Sequence, residues 1–272
     1  MSDAGARDRD VFDRIEFVLC DLEGVVWLAR EAIPGAPEAV ARLRDSGRRV
    51  VFVTNNSVSV VAEQEQALAT IGIPAVGDVV TSAQAAASLI TRGERAMVCG
   101  GPGVREAVVA RGAVVVEPCV DDGPAPAAVV VGLTRDVDYA MIDAASRAIR
   151  AGARFVATND DATFPTPVGL TPGAGAIVSA VATAAGSAPV IAGKPHAPMG
   201  ELVAVRCGPG FAGDKALMVG DRWATDGLFA DVLGCSFALV RSGVTGPGAP
   251  AGGVADIDEF DLDAVVTALL GT

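Results

Sequence analysis

The sequence predicts an α/β fold: a doubly wound parallel sheet with a second α/β unit in the middle of the chain. Three observations predict it: short, continuously apolar runs rich in Val, Ile or Phe, helical patterns between them, and a renewed alternation of the same kind through the central third. Runs apolar at every position fit strands covered on both faces, as the strands of parallel sheets are. Strands that alternate with helices build layered α/β domains.

Phe17 to Cys20 is the first such strand. A helix is expected over Glu38 to Ser46, where Val40 and Leu43 share a face and Gly47 supplies the stop. Val50 to Val53 follows as a strand. In the middle, strands near Ala96 to Cys99, Ala113 to Val116, Ala128 to Val131 and Arg154 to Ala157 accompany helical stretches at Val104 to Arg111 and Asp138 to Ala151. Small or polar breaks at Thr91-Arg92-Gly93 and Ala185-Gly186-Ser187 bound this unit. The expected division is therefore 1–92 with 189–272 as one domain and 93–188 as an insert. Pro189 to Ala192, Leu217 to Val219 and Phe237 to Val240 read as further strands of the first sheet. Gly246 to Gly253 reads as a surface loop before a last helix, Leu262 to Leu270.

A chain of 272 residues accommodates one large or two modest domains. Its 51% apolar content excludes disorder as a main theme, and its net charge of −12 would repel a phosphate backbone, so no nucleic-acid partner is expected. Ala174 to Ala185, interrupted by Ser179 and Thr183, falls short of the roughly 20 residues a bilayer span needs, so no membrane is expected either. Met1 to Glu16 lacks the basic start and apolar block of a secretory signal, which points to the cytoplasm. Five scattered cysteines with one histidine suit buried, reduced thiols rather than zinc. That single histidine, His196, also weighs against Ser-His-Asp and Cys-His hydrolases.

Ligands of doubly wound sheets bind outside the carboxyl ends of the strands, so the residues that end each run are the informative ones. The first run ends in Asp21-Leu22-Glu23-Gly24, the second in Thr54-Asn55-Asn56-Ser57, the third in Gly193-Lys194-Pro195 and the fourth in Gly220-Asp221, with Asp226 close behind. Acid, hydrogen-bond donors, cation and acid suit phosphoryl transfer to an aspartate. Asp21 would attack phosphorus, and Mg2+ on hard oxygens of Asp21 and Asp221, with Asp226 anchoring its waters, would relieve the repulsion between carboxylate and phosphate. Thr54, Asn55 and Asn56 are the phosphate-binding candidates, and Lys194 supplies positive charge. Only two of the 21 basic residues are lysines, Lys194 and Lys215, which makes Lys194 a compositional exception. Glu23 would protonate the leaving oxygen and later deprotonate the attacking water. The local alternatives are a turn or helix-cap role for Asp21 and Asp226, turn chemistry for Thr54 to Asn56, and a solvated loop lysine.

These four motifs, in this order, resemble those of the haloacid dehalogenase-like (HAD) phosphatases. Pro34-Gly35-Ala36, Thr158-Asn159-Asp160-Asp161, Thr171-Pro172-Gly173-Ala174-Gly175 and Gly193-Lys194-Pro195-His196 are similar to subfamily IIA, the NagD-like group. The resemblance implies a Rossmann-like core, an inserted α/β cap of the C2 type, Mg2+ dependence, a small phosphate ester as substrate and a homodimer formed through the cap. It also implies that the backbone carbonyl of Glu23 joins Asp21, Asp221 and Asp226 around the metal. The cap segment Asp160 to Leu170, with Phe164, is the candidate for substrate selection. In one place the sequence departs from the family, which has Asp where this chain has Glu23. An extra methylene moves a carboxyl by about an ångström, a misplacement that can cost about 100-fold in rate. Three readings stand: a phosphatase with Glu23 as its acid and base, a phosphotransferase or phosphomutase using the same aspartyl-phosphate, and a phosphate-ester-binding protein of low turnover.

Overall fold

The structure, a computed structural model, describes residues 12–119, 124–166 and 169–271. In chain order its strands begin with β1 (Phe17–Cys20), β2 (Trp27–Leu28), β3 (Glu31–Ala32), β4 (Arg49–Thr54), β5 (Val79–Thr81), β6 (Arg95–Cys99), β7 (Val114–Val116) and β8 (Ala128–Val131). They continue with β9 (Arg154–Ala157), β10 (Thr163–Thr166), β11 (Gly169–Pro172), β12 (Val190–Ile191), β13 (Ala216–Gly220), β14 (Ser236–Val240) and β15 (Ile257–Glu259). Packing gathers the described residues into two units, one drawn from Met1–Thr54, Glu65–Val79 and Val203–Thr272, the other from Asn55–Gln64 and Val80–Leu202.

The first unit is built on a sheet of order β15-β14-β13-β1-β4-β5. Every residue of β1 and β13 is buried, as strands covered on both faces require. β1 runs parallel to both neighbours, with Cys20 opposite Val219 on one side and Phe52 on the other. That register brings the carboxyl ends of β1 and β13 level, so the residues following them, Asp21 and Asp221, leave the sheet at one edge. The helix Ala36–Asp45 turns Ala36, Ala39, Val40 and Leu43 inward. Its entry, Gly35, has φ 82, a conformation glycine takes without steric penalty.

The second unit holds a five-stranded parallel sheet of order β12-β9-β8-β6-β7. The helix Tyr139–Arg150 starts where the Asp138 carboxylate accepts the Met141 N–H at 2.7 Å, a standard N-cap. It packs Met141, Ala144, Ala145 and Ile149 with Val129, Val131 and Phe155 of the sheet, and Ile177, Val178 and Val181 of the helix Ala174–Ala185 close the same core.

The α/β class and parallel sheets agree with expectation, but one strand does not lie where the sequence suggested. Pro189 to Ala192 contributes β12, which pairs with β9 at the edge of the second sheet and not with the first. A two-residue strand gives no signal of its neighbour, and only the register Val190 to Val156 settles it. Cys119 departs too: it is exposed, whereas Cys20, Cys99 and Cys207 are buried, and none of the five is in a disulfide. Burial pushes the Cys99 thiol up to about 12, so it stays protonated at neutral pH. No helix among the described residues is long and apolar enough to cross a membrane.

Candidate active site

In the first unit, Asp21, Asp221 and Asp226 come together, with one carboxylate oxygen from each lying within 4.8 Å of the others. The Asp21 N–H donates to the Val219 carbonyl at 2.9 Å, continuing the β1–β13 ladder one residue beyond the strand. Asp221 and Asp226 are 6% and 0% exposed. Asp226 reaches the group through a single π-helical turn, Trp223–Gly227, in which its N–H donates to the Arg222 carbonyl at 2.8 Å. Such widened turns recur at functional sites. Its Oδ2 accepts from the Arg222 N–H at 3.2 Å and the Thr225 hydroxyl at 3.3 Å. Asp221 Oδ2 accepts the Val244 N–H at 2.6 Å. Asp226 is therefore not the cap of the helix Leu228–Leu233, whose capping position is Gly227.

Three glycines make the space for these acids. A Cβ on Gly220 would stand 2.2 Å from Asp226 Cβ, and one on Gly243 would stand 2.0 Å from Asp221 Oδ2. At Gly24, with φ +81, it would stand 2.4 Å from the same oxygen. Three carboxylates this close repel one another unless a cation or protons intervene, and hard oxygen donors are what Mg2+ selects. The donor set thus fits a divalent cation.

Glu23 stands in the loop after β1 and its carboxylate is not part of that cluster. Its Oε1 accepts the Ala29 N–H at 2.6 Å, and residues 23 and 27 form an isolated parallel bridge. Burial pushes the Glu23 carboxyl above its ordinary value, against the Ala29 N–H, the Trp27 side chain and the charge of Arg30, which pull it down.

In the second unit the organising residue is Asn55. Its Oδ1 accepts the Lys194 N–H at 2.9 Å, and its Nδ2 donates to the Lys194 carbonyl and to Asp161 Oδ2, both at 3.0 Å. Its own carbonyl accepts from the Ser82 hydroxyl and from Asn159 Nδ2, both at 2.8 Å. The Asn55 amide is thus engaged in fixing the Lys194 backbone, a different task from the phosphate contact expected of it. Asn56 is exposed, and its Oδ1 accepts the Val58 N–H at 3.0 Å and the Ser59 N–H at 3.3 Å, which is turn chemistry. Thr54, the last residue of β4, is buried in the first unit. Lys194 is 2% exposed and precedes a cis peptide bond to Pro195. Gly193 before it is required by space, because a Cβ there would lie 2.5 Å from the Thr158 carbonyl and 2.6 Å from Asn55 Oδ1. Ser82 was not legible as part of this network, since a serine opening a short helix carries no long-range signal. His196 Nε2 lies 3.6 Å from Asp160 Oδ2. The segment expected to select substrate forms the hairpin β10–β11, with Phe164 opposite Thr171, and residues 167 and 168 lie outside the described residues.

Comparison with known proteins places these motifs in context. The sequence profile described as haloacid dehalogenase-like hydrolase matches residues 18–113, and a second, described as HAD-hydrolase-like, matches residues 191–269. The chain is 40% identical over 235 residues to a D-glycerol 3-phosphate phosphatase of Mycobacterium tuberculosis, an alignment covering 84% of this chain and 63% of that protein. It is 35% identical over 231 residues to the 5'-nucleotidase YutF of Bacillus subtilis, covering 84% of this chain and 87% of that one. Among solved structures, glycerol phosphate phosphatase Rv1692 from Mycobacterium tuberculosis in complex with magnesium superposes with a TM-score of 0.77 at 36% identity, covering 86% of this chain and 70% of that chain.

Proposed function

The chain belongs to the haloacid dehalogenase-like hydrolases, and from that premise we propose that it is a Mg2+-dependent phosphatase of a small phosphorylated metabolite. The observation that carries this reading is the meeting of Asp21, Asp221 and Asp226 at the level ends of β1 and β13. The names of its relatives support a phosphate monoester as substrate, with glycerol phosphate and a nucleotide the first two to test.

Asp21 attacks the phosphorus of the ester, forming an aspartyl-phosphate as the bond to the leaving oxygen breaks. Glu23 gives its proton to that oxygen, so the product departs as an alcohol. Water then attacks the same phosphorus, its proton passing to Glu23, and the acyl phosphate opens to release inorganic phosphate and restore Asp21. Asp21, Asp221 and the Glu23 carbonyl would hold Mg2+, with Asp226 beside them, and the bound ion would supply the positive charge that lets an anion approach a phosphate dianion. Thr54 hydrogen-bonds the phosphoryl oxygens together with groups of Asn55 and Asn56, and Lys194 adds charge there. Since the Asn55 amide is taken up by Lys194 and Asp161, the group Asn55 contributes is its backbone N–H. We assign the sheet β15-β14-β13-β1-β4-β5 to the catalytic core and the sheet β12-β9-β8-β6-β7 to a cap that selects substrate and forms a homodimer, in a cytoplasmic enzyme.

The test is phosphate release from a panel of phosphorylated metabolites, with and without Mg2+, by the wild type and Asp21→Asn. Metal-dependent release that disappears in Asp21→Asn is expected. A folded wild type that releases phosphate from no ester overturns the reading.

A further inference from the structure

The hairpin after Glu23 has an irregularity that the catalytic reading does not use. β2 and β3 pair antiparallel with Trp27 opposite Ala32 and Leu28 opposite Glu31, which leaves Ala29 and Arg30 as a two-residue loop. Both loop residues have positive φ, 50 and 70, and they are the only non-glycine residues so placed among those described. Hairpin loops of this type require positive φ at both positions and favour Asn-Gly, because a Cβ crowds the backbone there. Alanine and arginine hold such a turn only where something else favours it.

What favours it is Glu23. Its Oε1 accepts the Ala29 N–H at 2.6 Å, and the Gly24 N–H donates to the Trp27 carbonyl at 2.8 Å, so the loop that carries Glu23 and the hairpin are joined at two points. An aspartate at position 23 is shorter by one methylene, about an ångström, so from the same backbone its carboxylate would not reach that N–H. The unusual glutamate and the unusual turn thus explain each other.

The geometry points to the Ala29–Arg30 turn as a positioning element for Glu23: the Ala29 N–H holds the longer carboxyl where it delivers its proton to the leaving oxygen. This rests on the phosphatase reading given above. The turn touches no substrate and acts only through Glu23.

The leaving group separates this role from a structural one. p-Nitrophenolate departs without a proton, whereas the alkoxide of glycerol phosphate does not, so the acid step governs only the second ester. kcat/KM is the quantity to compare, because it ends at leaving-group departure and excludes the later attack of water. Ala29→Pro removes the N–H and cannot adopt positive φ; Ala29→Gly keeps the N–H and eases the turn. Ala29→Pro is expected to lose at least tenfold in kcat/KM on glycerol phosphate and less than threefold on p-nitrophenyl phosphate, with Ala29→Gly recovering the first. Exchange of the Ala29 amide proton, followed by NMR, gives a readout independent of activity: slow in the wild type and Glu23→Gln, fast in Glu23→Asp. Equal losses on both esters, or an Ala29 amide that exchanges as slowly in Glu23→Asp as in the wild type, overturn the inference alone. A folded wild type that hydrolyses neither these two nor any other ester of the panel overturns the function and the inference together.

Discussion

Asn55 grips Lys194 by its backbone, through both the N–H and the carbonyl, and the same amide reaches Asp161. Buried groups left without partners cost about 1–3 kcal/mol each, so Asn55→Ala should lower the melting temperature and, by loosening Lys194, reduce kcat about 10- to 100-fold. Asn56 is exposed and occupied with its own turn, so Asn56→Ala should change stability by less than about 1 kcal/mol. Thermal melting and steady-state kinetics on the pair check both; a fall in melting temperature no larger for Asn55→Ala than for Asn56→Ala would contradict the structural role of Asn55. The sequence disclosed which residues stand at strand ends, because apolar runs mark the strands and the polar residues after them are few. It could not disclose what each amide bonds, since an asparagine that binds a ligand and one that binds a backbone are the same letter. The glutamate at 23 was visible as an oddity, and the partner that accounts for it, Ala29, carries no side-chain signal at all.

Among the elements, those with a long or fully apolar pattern were readable: β1, β8 and β9 and the helix Leu262–Leu270 have the limits the sequence suggested. The hairpins β2–β3 and β10–β11 were not, since strands of two residues, or of four that mix polar with apolar positions, carry no readable pattern. Strand order was equally hidden for β12, whose neighbour is decided by packing. One tie between elements makes an acid-limb prediction. Glu94, just before β6, accepts from Arg154 at the start of β9 at 2.5 and 2.6 Å, and from the Thr91 N–H at 2.7 Å. Burial alone would raise the Glu94 carboxyl, but the hydrogen bonds from Arg154 and Thr91 outweigh it and hold it below its usual 4.5. A depressed carboxyl stabilises the fold above its unfolded value and loses that contribution as pH falls through the folded one. Unfolding free energy measured from pH 7 to 3 should therefore decline more steeply below 4.5 in the wild type than in Glu94→Gln. The difference at pH 7 should be no more than about 1 kcal/mol, because Arg154 is half exposed to solvent.

At the scale of the whole molecule, charge is the property the sequence states outright, and its consequences are concentrated at one place. A net charge of −12 disfavours polyanionic partners, and three of the acids responsible are gathered within 4.8 Å of one another. Gathering them is unfavourable in the metal-free protein, since like charges brought together in a buried site repel one another. A cation that binds the folded but not the unfolded chain repays this by mass action, about 2.7 kcal/mol at a hundred times its dissociation constant. For a domain of 150–250 residues each kcal/mol moves the melting temperature by about 2–4 °C. Mg2+ should therefore raise the melting temperature of the wild type by several degrees and EDTA should reverse the gain. Asp226→Asn separates the two effects, since an amide keeps an acceptor for the Arg222 N–H while removing one buried charge. Without Mg2+ the variant should melt at or above the wild type; with Mg2+ it should melt below it, because it has lost most of the metal-dependent increment. A variant that melts below the wild type by the same margin in both conditions would mean that Asp226 serves the fold and not the metal.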